Sequence, residues 1–279
     1  MYSIVLPVLN EESNLRELLP QLFNPSCEVI VCDNGSTDNS VRLVRDAMPS
    51  FNVRLSQGSG TVTDAVVRGI KESRSEKVVV MDSDLSHPPE KVKILVSLLD
   101  DYELVVGSRY SLCSSSSDTP QNKLLSKLGN TIAFGLAPSL DDRMSGMFAI
   151  RRSLALVPIP RSTKPMLQFL VRSRIQTYTQ VPIDFVPRKE GKSKLGRSIY
   201  TLLHTLWHVF ILYLIKFQRP IKFLLVGGLG ISINLGLLTL FTEVFHIWYV
   251  LSSFLAIVTT TVYSYLAHNY WTFERRKLI

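Results

Sequence analysis

Three cysteines in 279 residues, Cys27, Cys32 and Cys113, have no metal-ligand spacing, and an odd, unpaired set suits a reducing compartment. Other signatures are missing as well. There is no Walker loop, no G-x-S-x-G nucleophile elbow and no HExxH. Gly58-Ser59-Gly60 lacks the third glycine of a dinucleotide fingerprint. His204 and His208 are four apart with no glutamate between them, and read as interfacial polar residues. The opening MYSIVLPVLN lacks a basic start and a small-residue cleavage site, so it reads as a first strand. Acidic residues are the minority charge, 23 Asp and Glu against 31 Lys and Arg, a net charge of +8. That balance calls for an anionic partner: nucleic acid, a membrane surface or a phosphorylated substrate. The basic residues cluster beside an apolar C-terminal part, without aromatics interleaved on a soluble face, which argues against nucleic acid.

Charge itself becomes scarce after about residue 198. Ile221 to Phe245 and Trp248 to Ala267 are apolar runs near the roughly 20 residues that cross a bilayer. The alternative is a pair of buried core helices, but two adjacent runs this long are rare in soluble folds. Lys216, Arg219 and Lys222 precede the first run, and Arg275, Arg276 and Lys277 follow the second. The connector, Glu243 to Tyr249, holds no Lys or Arg. The positive-inside rule then predicts an integral membrane protein with two spans, its N-terminal domain and both termini cytosolic. Gly227, Gly228 and Gly230 would let the spans approach closely. The stretch Ser198 to Phe217 is apolar enough for a third span, yet Thr201, His204, Thr205 and His208 share one helical face. Basic residues flank both of its ends, so the preferred reading is an amphipathic helix lying on the cytosolic interface.

Before residue 198, short β-branched runs alternate with helical patterns. Strands are expected at Ser3 to Val8, Glu28 to Cys32, Val53 to Ser56, Lys77 to Met81 and Leu104 to Gly107. Helices are expected at Ser13 to Phe23, Ser40 to Ala47, Thr61 to Ser73 and Pro89 to Leu99, with Ser13 capping the first. This alternation predicts an α/β domain with a mainly parallel sheet, whose ligands bind beyond the carboxyl ends of the strands. Polar residues collect at those ends: Pro7, Asn10 and Glu11; Asp33 to Asp38; Asp82, Ser83 and Asp84; Gly107, Ser108 and Arg109.

The most informative of these ends is VVVMDSDLSHPPE, where a buried strand runs into two carboxylates one residue apart. Like charges in a desolvated place repel, and a divalent cation removes the conflict. Magnesium is typically held by one or two carboxylates, substrate phosphate oxygens and water. Asp82 and Asp84 therefore read as a site for a metal–diphosphate complex. A plainer alternative is that Ser86 caps the helix opened by Pro88 and Pro89.

Three stretches together, IVLPVLNE from Ile4, VCDNGSTD from Val31 and MDSDLSHPP from Met81, resemble the family 2 glycosyltransferases of GT-A fold. DSDLSHPPE, GSRY from Gly107 and RKEGKSKLG from Arg188 are most similar to dolichol-phosphate mannosyltransferases and related polyprenyl-phosphate glycosyltransferases. KFLLVGG from Lys222, Asn234 and HNYWTF from His268 resemble the first half of a GtrA-like membrane domain. Where the family often carries Tyr, Ala and Gln, this chain has Leu9, Ser83 and Ser86, and Asp142 to Gly146 stands in place of a D-x-T-S-G-F pattern. The resemblance implies a GT-A domain over 1–197, a juxtamembrane helix over 198–219 and a membrane domain over 220–279. It implies transfer of a hexose, mannose from GDP-mannose in first place, to dolichyl or another polyprenyl phosphate with inversion. The alternatives are a UDP-glucose-dependent enzyme, a transferase with a soluble sugar or protein acceptor, or a non-catalytic scaffold or lipid-translocation subunit. By that resemblance Pro7, Leu9, Glu11, Asp33 and Ser83 would line the nucleotide-sugar pocket with Asp82, Asp84 and Arg109. Asp82 and Asp84, with Ser86, would hold Mg²⁺ or Mn²⁺. Arg109 would clamp phosphate, and Arg188, Ser193 and Lys194 would hold the acceptor phosphate. A basic patch that merely holds anionic lipid headgroups is the plainer reading of Arg188 to Lys194. An oligomer is compatible with all of this.

Overall fold

The computed structural model describes residues 1–110, 129–136, 139–156, 175–184 and 199–273. It divides into two units, Met1–Leu212 and Tyr213–Ile279.

The first unit is built on seven strands: β1 (Tyr2–Val8), β2 (Cys27–Asp33), β3 (Val53–Gln57), β4 (Lys77–Val80), β5 (Leu104–Ser108), β6 (Phe148–Arg151) and β7 (Tyr178–Pro182). Their order in the sheet is β3-β2-β1-β4-β6-β5-β7. β6 runs antiparallel to both its neighbours, and every other pairing is parallel. The sheet is thus mixed and mainly parallel, as the alternation of elements predicts. Helices α1 (Glu12–Leu22), α2 (Ser40–Ala47), α3 (Val62–Glu72) and α4 (Val92–Leu98) fall where the hydrophobic period places them, α4 after a 3₁₀ turn at Pro89–Lys91. β6 and β7 lie beyond the expected strands; Phe148–Arg151 is only four residues long, and Tyr178–Pro182 carries Thr, Gln and Pro.

Helices cover both faces of the sheet. Ile4, Leu6 and Val8 of β1 join a buried cluster with Leu15, Leu18 and Leu22 of α1 and Leu95 of α4. On the other face α3 presses so closely that a Cβ on Gly69 would lie 2.5 Å from Val5 Cγ1 and 2.6 Å from Cys32 Sγ. Each large side chain buried in this way contributes about 1.5–3 kcal/mol. α3 is closed by a reciprocal box, Thr61 Oγ1 accepting from the Asp64 amide and Asp64 from the Thr61 amide. α1 differs from expectation at its start: Ser13 does not cap it. The amides of Glu11 and Glu12 donate instead to Ser40 Oγ and Asp38 Oδ2, so the chain after β2 closes the helix after β1. Burial pushes the thiols of Cys27 and Cys32 up to about 12, which keeps both neutral and structural.

Glu28 is the one glutamate fully buried in a strand of this sheet among the described residues. Burial alone would raise its pKa. Hydrogen bonds from Arg54 Nη1 (2.9 Å), Ser3 Oγ (2.7 Å) and the Arg74 amide (3.1 Å) outweigh that, and hold it below the usual carboxylate range. A depressed folded pKa gives stability that is present above the unfolded value, roughly 4.3, and is lost as pH falls through the folded one. Arg54→Ala is expected to cost about 3 kcal/mol near pH 7, because it leaves the buried carboxylate only the longer, exposed Arg74 pair at 3.8 Å. The stability gap between wild type and Glu28→Gln should shrink as pH is lowered from 6 to 3 in thermal unfolding of the solubilised protein. A gap constant over that range would contradict this account.

Helix α5 (Ile199–Lys216) crosses the division between the units. In the second unit, α6 (Gln218–Thr239) and α7 (Tyr249–Ala267) each end in one π-helical turn. The stretches Gln218–Val244 and Tyr249–Thr272 are long and apolar enough to cross a membrane. They pack as an antiparallel hairpin along Val226, Gly230, Ser252 and Ala256. Gly230 is the glycine that permits close approach, its Cβ position lying 3.2 Å from Ser264 Oγ. Gly227 and Gly228 have open space around theirs, contrary to expectation. Thr239, Thr242, Thr259, Thr260 and Thr261 return their hydroxyls to the carbonyl four residues back, which satisfies them inside apolar helices. At one end Lys222 Nζ donates to the Trp271 carbonyl at 2.9 Å and lies 5.0 Å over its ring.

Candidate active site

The rim at the carboxyl ends of β1 and β2 is tied together by side chains. Asn10, in the left-handed region at φ 53, accepts from the Thr37 amide at 2.7 Å, and its own amide donates to Ser36 Oγ at 2.8 Å. Asp33 is buried at the end of β2 and accepts from the amides of Gly35 (3.0 Å) and Ser36 (3.1 Å). Gly35 takes φ 94, which its lack of a Cβ permits. Arg68 of α3 braces this turn from behind, donating to the carbonyl of Asp33 and to Asn34 Oδ1. Beside it Leu9 is exposed, and Glu11 accepts from Asn14 Nδ2.

β4 delivers the carboxylate pair. Ser83 donates to the Pro7 carbonyl at 3.1 Å, which fastens the turn to β1. Asp84 is 4 % exposed, and its Oδ1 accepts both the amide and the hydroxyl of Ser86. Ser86 therefore braces Asp84 and does not cap the following turn, whose N-terminal position is Pro88 without a side-chain cap. Leu85 between them is held at φ 61, a left-handed conformation uncommon for leucine. Asp82 behaves differently: its side chain is 42 % exposed and its carboxylate makes no hydrogen bond among the described residues.

β5 and β6 supply the far side. Because β6 is antiparallel, the chain entering it, Asp142 to Met147, arrives at the same rim. Asp142 is fully buried and takes two contacts from Arg109, at 2.7 and 3.1 Å, in the bidentate fork that favours arginine. Ser145 donates to the Gly107 carbonyl at 2.6 Å. Gly146 then lies so near β4 that a Cβ would stand 2.8 Å from Asp82 Oδ2.

The structure thus brings Pro7, Leu9, Glu11, Asp33, Asp82, Ser83, Asp84 and Arg109 to one rim. Arg188, Ser193 and Lys194 lie outside the described residues. Arg109 reaches the rim with its Nε and Nη2 donating to Asp142. The Asp142 to Gly146 segment was visible in the sequence only as a departure from a family pattern; its placement depends on β6, too short to read by period. The carboxylates suit a hard divalent cation. Among the described residues no group of three His, Cys, Asp or Glu side chains forms a metal cage. Two carboxylates with phosphate oxygens and water is the donor set Mg²⁺ and Mn²⁺ accept, so the residues present fit such an ion.

A mixed sheet with an acidic carboxyl rim is the architecture of the GT-A glycosyltransferases, and the comparisons agree. The structure superposes on a crystal structure of glucosyl-3-phosphoglycerate synthase from Mycobacterium tuberculosis, in complex with Mn²⁺, UDP and glucosyl-3-phosphoglycerate. The TM-score is 0.59 at 21 % identity, over 77 % of this chain and 79 % of that one, a likeness of fold. Residues 3–156 match the glycosyl transferase family 2 profile, and residues 222–278 match the GtrA/DPMS transmembrane domain. The chain is 30 % identical over 257 residues to a dolichol-phosphate mannosyltransferase of Pyrococcus furiosus, covering 86 % of this chain and 72 % of that protein. It is 32 % identical over 248 residues to a protein of the same name from Mycosarcoma maydis, covering 80 % and 83 %. The chain belongs to glycosyl transferase family 2.

Proposed function

We propose that this protein transfers a hexose from a nucleoside diphosphate sugar to dolichyl or another polyprenyl phosphate, with mannose from GDP-mannose the favoured donor. The observation that carries this is the braced Asp82-Ser83-Asp84 turn at the rim of a GT-A sheet, in a chain that also holds two helices of membrane-spanning length. The names of the two mannosyltransferase relatives support the choice of sugar and acceptor.

Pro7, Leu9, Glu11, Asp33 and Ser83 line the nucleotide-sugar side, and Asp82 and Asp84 hold Mg²⁺ or Mn²⁺ there, with Ser86 fixing Asp84. The ion, when bound, offsets charge on the leaving diphosphate. Arg109, oriented by Asp142, meets the donor phosphates. Arg188, Ser193 and Lys194 take the acceptor phosphate. That phosphate is already an anion near neutral pH, so attack on the anomeric carbon needs no strong base, and a single displacement inverts configuration.

A polyprenyl chain leaves the bilayer only at a cost of about 0.8 kcal/mol per CH₂, so the acceptor must be met at the interface. We place the GT-A domain at 1–197, an interfacial helix at 198–219 and the membrane domain at 220–279. α5 carries Leu203, Trp207, Phe210 and Leu214 exposed at helical spacing, the apolar stripe of a helix lying in a membrane surface. The basic flanks favour a cytosolic catalytic domain and cytosolic termini. Cysteine labelling of sealed vesicles should then mark the connector near His246 from the far side only, and the C-terminus from the cytosolic side. The reverse pattern would overturn the two-span arrangement.

Donor choice is tested by offering the solubilised protein GDP-mannose and UDP-glucose together with polyprenyl phosphate, and reading the lipid product by mass spectrometry. A mannosyl product is expected. A glucosyl product would move the protein to the UDP-glucose reading, and no lipid product with either donor would favour a scaffold or a soluble acceptor.

A further inference from the structure

Each residue of Asp82-Ser83-Asp84 is fixed by a different partner. Ser83 is held by Pro7 and Asp84 by Ser86. The partner of Asp82 is His87. Met81 still donates its amide to Val5 across the β1–β4 ladder, at 3.3 Å, so Asp82 offers the first amide beyond it. His87 Nδ1 accepts that amide at 3.0 Å. The ring is 2 % exposed, and accepting at Nδ1 puts the proton of the neutral imidazole on Nε2. Leu85 at φ 61 turns the chain back so that the ring can reach. Across from it stands Gly146, whose Cβ position is 3.0 Å from His87 Cε1 and 2.8 Å from Asp82 Oδ2. The exposed Asp82 carboxylate therefore leaves a backbone fixed by His87 and passes a wall set by Gly146.

We propose that His87 is a positioning residue for divalent-cation binding. Its Nδ1 replaces the missing strand carbonyl for the Asp82 amide, and with Gly146 it fixes the direction of the Asp82 carboxylate. The inference rests on the reading of Asp82 and Asp84 as metal ligands. It assigns His87 no contact with substrate.

The test is Mn²⁺ binding to the full-length solubilised protein in the presence of GDP, followed by electron paramagnetic resonance. Asp82→Ala serves as the reference for a lost ligand. His87→Phe fills the ring's space without an acceptor, whereas His87→Asn carries Oδ1 where Nδ1 stood. His87→Phe should weaken Mn²⁺ by about 10- to 100-fold, the range for residues that orient metal ligands, and His87→Asn should recover most of the loss. Wild-type affinity in His87→Phe beside a weakened Asp82→Ala would overturn the role of His87 and leave the metal site standing. Wild-type affinity in Asp82→Ala and Asp84→Ala would instead remove the metal reading. Equal losses in the Phe and Asn variants would also reject the acceptor role. Should His87→Phe fail to fold, Gly146→Ala crowds both Asp82 Oδ2 and His87 Cε1, and unchanged Mn²⁺ affinity there would overturn the proposal.

Discussion

Asp84→Asn should abolish sugar transfer while the protein stays folded. Asparagine keeps an Oδ1 acceptor for the amide and hydroxyl of Ser86, so the turn at Leu85 survives, but the negative charge is gone. Losing half of a two-carboxylate metal site removes several kcal/mol of stabilisation of the departing diphosphate. About 4 kcal/mol corresponds to roughly a 10³-fold fall in kcat/KM. Asp82→Ala should do the same, and its side chain is exposed enough that removal leaves no cavity. Calorimetry of donor binding with Mn²⁺ separates loss of the site from loss of the fold. Unchanged donor affinity in Asp84→Ala would sink the metal assignment.

The second large effect is expected at the acceptor. The basic run from Arg188 to Lys194 is the candidate for meeting the acceptor's anion. Arg188→Ala and Lys194→Ala should weaken use of polyprenyl phosphate, with donor binding nearly unchanged. A charge-assisted hydrogen bond is worth about 1.5–3 kcal/mol, or roughly 10- to 100-fold in efficiency. Lys192→Ala is the control. If the run only gathers anionic lipid, all three variants should lose equally in anionic vesicles and none in neutral detergent. That result would reject the specific clamp and leave a basic patch.

Much of this site was legible from residue order alone. β1, β2, β4 and β5 are continuous apolar runs that end abruptly in polar residues, so the period places both the strands and the rim. The pairing of Asp82 with Asp84 at a strand end was equally plain. What sequence could not show were contacts made across the sheet. Ser40 and Asp38 close α1 from a neighbouring loop, where Ser13 had the right chemistry but the wrong place. Arg109 read from sequence as a phosphate clamp, and its pairing with Asp142 emerged only with β6, four residues long and antiparallel. Gly227 and Gly228 look like packing glycines by composition, yet the helical phase turns Gly230 toward the partner helix. In each case the deciding neighbour is distant in sequence and carries no periodic signal of its own.

The most direct measurement is lipid-linked sugar formation in membranes containing the protein, supplied with radiolabelled GDP-mannose and polyprenyl phosphate, with and without EDTA. A labelled, organic-extractable lipid phosphate sugar is expected, one that disappears with EDTA, returns with excess Mn²⁺, and is absent for Asp84→Asn. Label transfer that proceeds undiminished in EDTA, or in Asp84→Asn, would contradict it.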